Sequence, residues 1–407
     1  MSNSLAKNQI KSNPIIDKLD EIKGFLDKSL DARHPGLMGG LSGIALFYFY
    51  YSKHKNDQRI YDRGFGLVIN SIDSINKGQK YHSYSNGAAG IGWLVEHLEY
   101  YDFIDSQTND LLVELDEFSY RAMLLEIQNK NLDYLHGAIG IGLYYLNRLR
   151  KRPEVDKYIS ELVDEIEHSS ELDVNGGLKW LTYISSDEKT KKCYNLSLSH
   201  GISSIIVFLS KVYELNVNKE KTLKLLNGAI TYLINNQLDT SLYYSSFPNG
   251  IVESENPSNS RLAWCYGDLG IGMALYQAGK ITGNSHWVDK AIEILLFTTK
   301  RRTDDVTSVV DAGLCHGTAG IAHIYNRMYG YTKNNTFKEA ADYWFSKTLE
   351  MAKFDDGLAG YKARRNKETG GDINESGLLE GIAGIGLAIL SYVSDIDPAW
   401  DECLLLS

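Results

Sequence analysis

The pattern that most constrains this fold is Gly-x-x-Gly followed by isoleucine, which begins at Gly40, Gly87, Gly137, Gly267, Gly317 and Gly381. A degenerate copy, Gly201-Ile-Ser-Ser204, makes seven. First glycines lie 47, 50, 64, 66, 50 and 64 residues apart. Such an array with variable connections predicts one architecture, a single domain over residues 1–407, rather than several. The segments after the motifs, such as Ile44 to Tyr51 and Ile141 to Leu146, are apolar on most faces, as buried helices are.

Between the motifs lie single-faced helices. Ile15, Leu19, Ile22, Leu26 and Leu30 follow Pro14 at spacings of four, three, four and four. Similar segments run near 57–76, 106–129, 154–168, 219–236, 286–300 and 335–352. Seven outer and seven inner helices predict an all-α chain, and an α/α toroid, one ring inside another, is the closed way to bury the inner seven. A GxxG at a helix start allows a tight turn and close backbone approach. A phosphate cradle is the other use of such a motif, but no strand or Gly-Lys-Ser/Thr accompanies any copy. Two long connections, 238–260 and 365–377, are rich in turn formers and have the length of binding elements or lids.

Composition bounds the function. Hydrophobic content of 43% permits a large core, and a net charge of -10 lacks the clustered basic footprint of a nucleic-acid binder. No apolar run reaches the ~18–20 residues of a spanning helix, so membrane contact is expected to be peripheral at most. Four cysteines are too few for a disulfide framework, and Met1-Ser-Asn-Ser4 does not open like a signal peptide. The expected setting is a reducing cytoplasm.

Two motifs carry soft ligands within two residues of a repeat glycine: Trp264-Cys265-Tyr266-Gly267 and, fifty residues on, Cys315-His316-Gly317. Any one of these residues alone is more simply a buried cysteine or core histidine. Two thiols and an imidazole in equivalent repeats instead suit an open zinc site, whose fourth position stays free for a substrate atom. The residues just before each first glycine should converge on one rim. His200 then occupies the position of His316 and could be a ligand, a packed core histidine or, the favoured role, an acid/base; His136 is equivalent too, and the repeat argument does not separate them. Asp133, Arg261 and Tyr266 are candidate polar neighbours, for Asp133 and Arg261 against the plainer reading of a capping or solvated charge. Cys193 and Cys403 precede no repeat glycine and should lie off the rim.

On Ser199-His200-Gly201, Trp264-Cys265-Tyr266-Gly267, Cys315-His316-Gly317 and the seven repeats, essentially the whole chain resembles the lanthionine synthetase C-like family, the cyclases of lanthipeptide biosynthesis. The resemblance implies Zn²⁺ on Cys265, Cys315 and His316, His200 as acid/base, Asp133 as its partner, and Arg261 and Tyr266 as further active-site residues. It implies a dehydrated precursor peptide with its leader as substrate, whose cysteine thiols add to dehydroalanine or dehydrobutyrine. A lanthipeptide dehydratase and an export transporter are the partners it suggests. Three rivals stand beside this reading: addition of glutathione or another free thiol to dehydroamino acids in proteins, a zinc thiol alkyltransferase of the prenyltransferase type, and a non-catalytic peptide-binding toroid.

Overall fold

The computed structural model describes residues 13–28, 34–78, 81–105, 112–182, 192–252, 255–365 and 370–407. Leu30, the start of the 106–129 segment, the 366–369 stretch and most of the Lys-rich run before Cys193 lie outside them.

Outer and inner helices alternate as the periodicity predicts: α1 (Pro14–Lys28) with α2 (Leu41–Lys55), α3 (Gln58–Asn76) with α4 (Ala88–Tyr100), and α5 (Val113–Gln128) with α6 (Ala138–Arg148). Next come α7 (Asp156–His168) with α8 (Ile202–Glu214) and α9 (Lys219–Asn235) with α10 (Asp268–Thr282). The ring ends with α11 (Ser285–Thr298), the single turn α12 (Asp304–Thr307), α13 (Thr318–Thr332), α14 (Asn335–Glu350) and α15 (Ile382–Val393). The inner members are buried on every side: α4 from Ala88 through Glu99, α6 along its whole length. The outer α7 buries only Ile159, Leu162, Val163 and Ile166, one stripe of an amphipathic helix. The architecture is an α/α toroid.

The glycines act at the helix starts. In the sixth copy the first amides of α13 donate back into the preceding turn, Thr318 to the Asp311 carbonyl and Ala319 to that of Ala312. This satisfies groups a helix otherwise leaves orphaned. The wrap is so tight that a Cβ at Gly320 would stand 2.0 Å from the Leu314 carbonyl oxygen. In the degenerate copy the Ser204 amide bonds to the Gly201 carbonyl at 3.1 Å, and the Ser203 hydroxyl to that of Leu196 at 2.6 Å. Ser42, at the same place in the intact first copy, makes an equivalent bond to the Pro35 carbonyl at 2.6 Å; the replaced glycine itself is Ser204, whose hydroxyl bonds the Gly201 carbonyl at 2.8 Å.

Just before the glycines, the chain stitches the repeats together. Residues two before each first glycine bond across the junctions: Met38 N to Ser85 O, Ser85 N to Leu135 O, Ser199 N to Cys265 O, Cys265 N to Cys315 O, Cys315 N to Leu379 O, and Leu379 N back to Met38 O. These run from 2.8 to 3.3 Å. Among the described residues no backbone hydrogen bond spans the remaining junction, Leu135 to Ser199.

The middle of the ring is filled by residues 399–407, whose carbonyls and acids take donors from all around it. Tyr134 donates its hydroxyl to the Cys403 carbonyl, Trp264 Nε1 bonds Leu404 O at 2.7 Å, Gln277 bonds Leu405 O at 2.6 Å, and Lys211 bonds Ser407 O at 2.6 Å. Asp401 meets His323 at 2.7 Å, and Glu402 accepts from Tyr101 at 2.5 Å.

Two small sheets interrupt the helices: β1 (Glu171–Leu172) antiparallel to β2 (Leu178–Lys179), and β3 (Cys193–Asn195) antiparallel to β4 (Gly250–Val252). Part of the 238–260 connection is anchored on the start of α10. Buried Asp268 accepts the amides of Ser246 and Phe247, both at 2.9 Å, and Phe247 is fully buried. From that anchored stretch Asn249 reaches the site cavity.

Candidate metal centre and its neighbours

The fifth and sixth repeats meet through the Cys265 N to Cys315 O bond, 3.2 Å, which sets their loops side by side. Ligand atoms of Cys265, Cys315 and His316 then lie within 4.8 Å of one another, and no fourth Cys, His, Asp or Glu joins the group among the described residues. Two sulfurs and one imidazole nitrogen at that separation fit a soft divalent cation with one position to spare. Gly267, following the first loop, has φ +91, a conformation that suits glycine, and turns the chain into α10.

The electrostatics of the protein groups alone are those of a cluster that wants positive charge. The hydrogen bond from Cys315 holds the Cys265 thiol below its ordinary pKa, helped by His316 and Arg261. Cys315 is pushed up by the same bond and by burial, because two adjacent thiols do not both ionise without a cation. Burial alone would lower His316, but hydrogen bonds to Asp311 and Cys265 win and push it up to about 10.

Asp311 is a member that sequence reasoning missed. Nearly buried, it faces His316 Nε2 at 3.2 Å and is itself fixed by the amides of Gly313 (3.2 Å) and Arg364 (3.1 Å). The available signal was positional: Asp311 stands six residues before its glycine, as Arg261 and Asn195 do.

The other predicted residues gather beside the cluster. A cavity of about 570 Å³ is lined by Cys265, Cys315, His316, His200, Arg261 and Tyr266, together with His136, Asn195 and Glu380. His200 Nδ1 bonds Asp133 Oδ2 at 2.6 Å, while Asp133 Oδ1 accepts the His136 amide at 2.7 Å. His200 is shifted upward: burial opposes this, and the Asp133 bond and charge outweigh it. His136 instead meets the Ser85 hydroxyl at 3.2 Å, its ring 6.2 Å from that of His200. The structure thus separates two histidines that the repeats left equivalent. The Tyr266 ring lies tilted 6.1 Å from that of His200, and its hydroxyl accepts from Asn195 at 3.4 Å. Arg261 is exposed and pairs with no carboxylate among the described residues. Glu380, on the opposite side, is tied to Arg365 at 2.5 Å. Cys193 on β3 and Cys403 in the central plug are both buried and outside this cavity. No described helix is long and apolar enough to cross a membrane.

Comparison with known proteins agrees with the geometry. The family model for lanthionine synthetase C-like proteins matches residues 31–405. The chain is similar to nisin biosynthesis protein NisC of Lactococcus lactis subsp. lactis, 26% identical with 98% of this chain and 96% of that protein covered. It is also similar to glutathione S-transferase LANCL1 of Danio rerio, 23% identical over 79% and 76%. The solved structure of nisin cyclase superposes with a TM-score of 0.76 at 21% identity, covering 97% of this chain and 98% of that one.

Proposed function

The chain belongs to the lanthionine synthetase C-like family, and from that premise we propose that it is a zinc-dependent lanthipeptide cyclase, working as one domain. The observation that carries the reading is a two-thiol, one-imidazole cluster in the same cavity as a histidine oriented by a carboxylate. Bound to Cys265, Cys315 and His316, Zn²⁺ would lower the pKa of a substrate cysteine so that it reacts as thiolate at neutral pH.

The protein's own residues do the rest. His200, held by Asp133 through Nδ1, has Nε2 available to take the thiol proton and return one to the substrate. A sulfur–carbon bond forms at Cβ of the dehydroamino acid, the π pair moves to the carbonyl as an enolate, and Cα then gains the proton. Atoms balance without loss, so the thioether product has the substrate's mass. Arg261, with no carboxylate partner, is suited to stabilise the enolate oxygen, and Tyr266 to keep the His200 ring in register. The substrate is a dehydrated precursor peptide with its leader; the dehydroamino acids call for a dehydratase, and the family resemblance adds an exporter as partner.

A second reading draws on the relative named as a glutathione S-transferase: the same open position would accept glutathione, which would add to the dehydroamino acid. One experiment separates these readings and a merely binding toroid. Dehydrated peptide is incubated with the protein and glutathione, its remaining thiols are alkylated, and its mass is read. After alkylation a cyclised peptide keeps its mass because no thiol is left to label, glutathione transfer adds the mass of glutathione, and passive binding adds only the alkyl labels.

A further inference from the structure

Among the described residues, backbone hydrogen bonds stitch the toroid's rim at six junctions and none joins the seventh, between Leu135 and Ser199. What spans that junction is the side-chain bond from His200 to Asp133. Directly there lies a second cavity, of about 690 Å³. One wall is the 129–133 turn, the other the stretch Trp180 to Thr182 beside the small sheets, and the start of α8 forms its base. Asn195, His200 and Tyr266 line both this cavity and the one that holds the thiol cluster. His200 therefore stands on a shared wall, with thiols on one side and open space on the other.

Ring formation within one peptide needs two places, one for the sulfur and one for the carbon it attacks. The proton for Cα must come from between them. We propose that the second cavity is the subsite for the peptide segment carrying the dehydroamino acid, so that the substrate chain crosses the rim where the backbone does not close it. The inference rests on the cyclase reading above. Leu132, Trp180, Leu181, Ile202 and Ile205 give it apolar surface, and Lys130, Glu165, His168 and Glu171 add charged and polar groups of both signs. The occupant that fits is an extended segment with apolar side chains flanking the dehydroamino acid.

Hydrogen exchange tests it on the zinc-loaded wild-type chain. The probe is a short synthetic peptide with dehydroalanine between apolar residues and serine in place of cysteine, so that it binds without reacting. Added protection at 129–133 and 180–182 is expected; protection confined to the loops of Cys265 and Cys315 would overturn the subsite. In parallel, Leu181→Glu places a carboxylate in the cavity without touching the cluster or His200. Its KM for the cysteine-containing peptide should rise by about tenfold or more, with kcat and zinc content retained. An unchanged KM would also overturn the proposal. If the wild-type chain forms no ring yet the cavity is protected, the cyclase reading fails and the subsite stands; ring formation without protection there removes the subsite alone.

Discussion

His200 and His136 each stand one residue before a repeat glycine, but only His200 has its ring nitrogen on a carboxylate, and their chemistry should diverge accordingly. His200→Ala is expected to keep metal and lose turnover by about 10² to 10⁴, whereas His136→Ala should lose far less; steady-state rates with metal analysis decide. The direction of the pH effect follows from the Asp133 bond, which raises the His200 pKa. Acting as a base, His200 must be neutral, so activity should appear as pH climbs through that raised value. Asp133→Asn, lacking the charge, should move the onset to lower pH while reducing kcat. In stability the sign is opposite: the pair contributes fully below the unfolded histidine pKa and its contribution is lost as pH rises through the folded one. Asp311→Asn should weaken metal binding by about 10- to 100-fold, as loss of a carboxylate behind a ligating histidine does, measured by chelator competition.

At the scale of the element, the three residues before each first glycine divide the work. The third before it packs inward, as Tyr134 and Trp264 do on the plug; the second stitches the rim through its backbone while its side chain lines the cavity, as Cys265 and Cys315 do; the first also faces the cavity, as His200, Tyr266, His316 and Glu380 do. Repetition made most of this legible. Helix faces and the convergence of Cys265, Cys315, His316 and His200 could be read because each copy reports on the others. Asp311 escaped because its role depends on a ring facing it across a turn, and the β1–β4 strands escaped because two or three residues have no period to detect. The plug was illegible too, since its carbonyls carry the contacts and any sequence has carbonyls. Trp264→Phe removes the donor to the buried Leu404 carbonyl, 2.7 Å away. It should cost about 1–3 kcal/mol in denaturant unfolding and also weaken metal binding through adjacent Cys265.

For the whole molecule, closure matters more than the metal. The Leu379 to Met38 bond joins last repeat to first, and the core is continuous around the ring. Chelation should therefore leave the helical signal largely intact and lower the unfolding midpoint only by the binding free energy lost. Cys193 and Cys403, both buried, should resist a mild alkylating reagent in the native protein, and a strong chelator should render Cys265 and Cys315 reactive. The central claim is that the open fourth position of the Cys265, Cys315 and His316 cluster takes the substrate's sulfur. X-ray absorption at the zinc edge reads this directly: two sulfurs at rest, three after adding a dehydrated peptide with a free cysteine, and still two when that cysteine is serine. A sulfur count that does not change with the cysteine peptide, or zinc that stays bound in Cys315→Ala, would contradict the account.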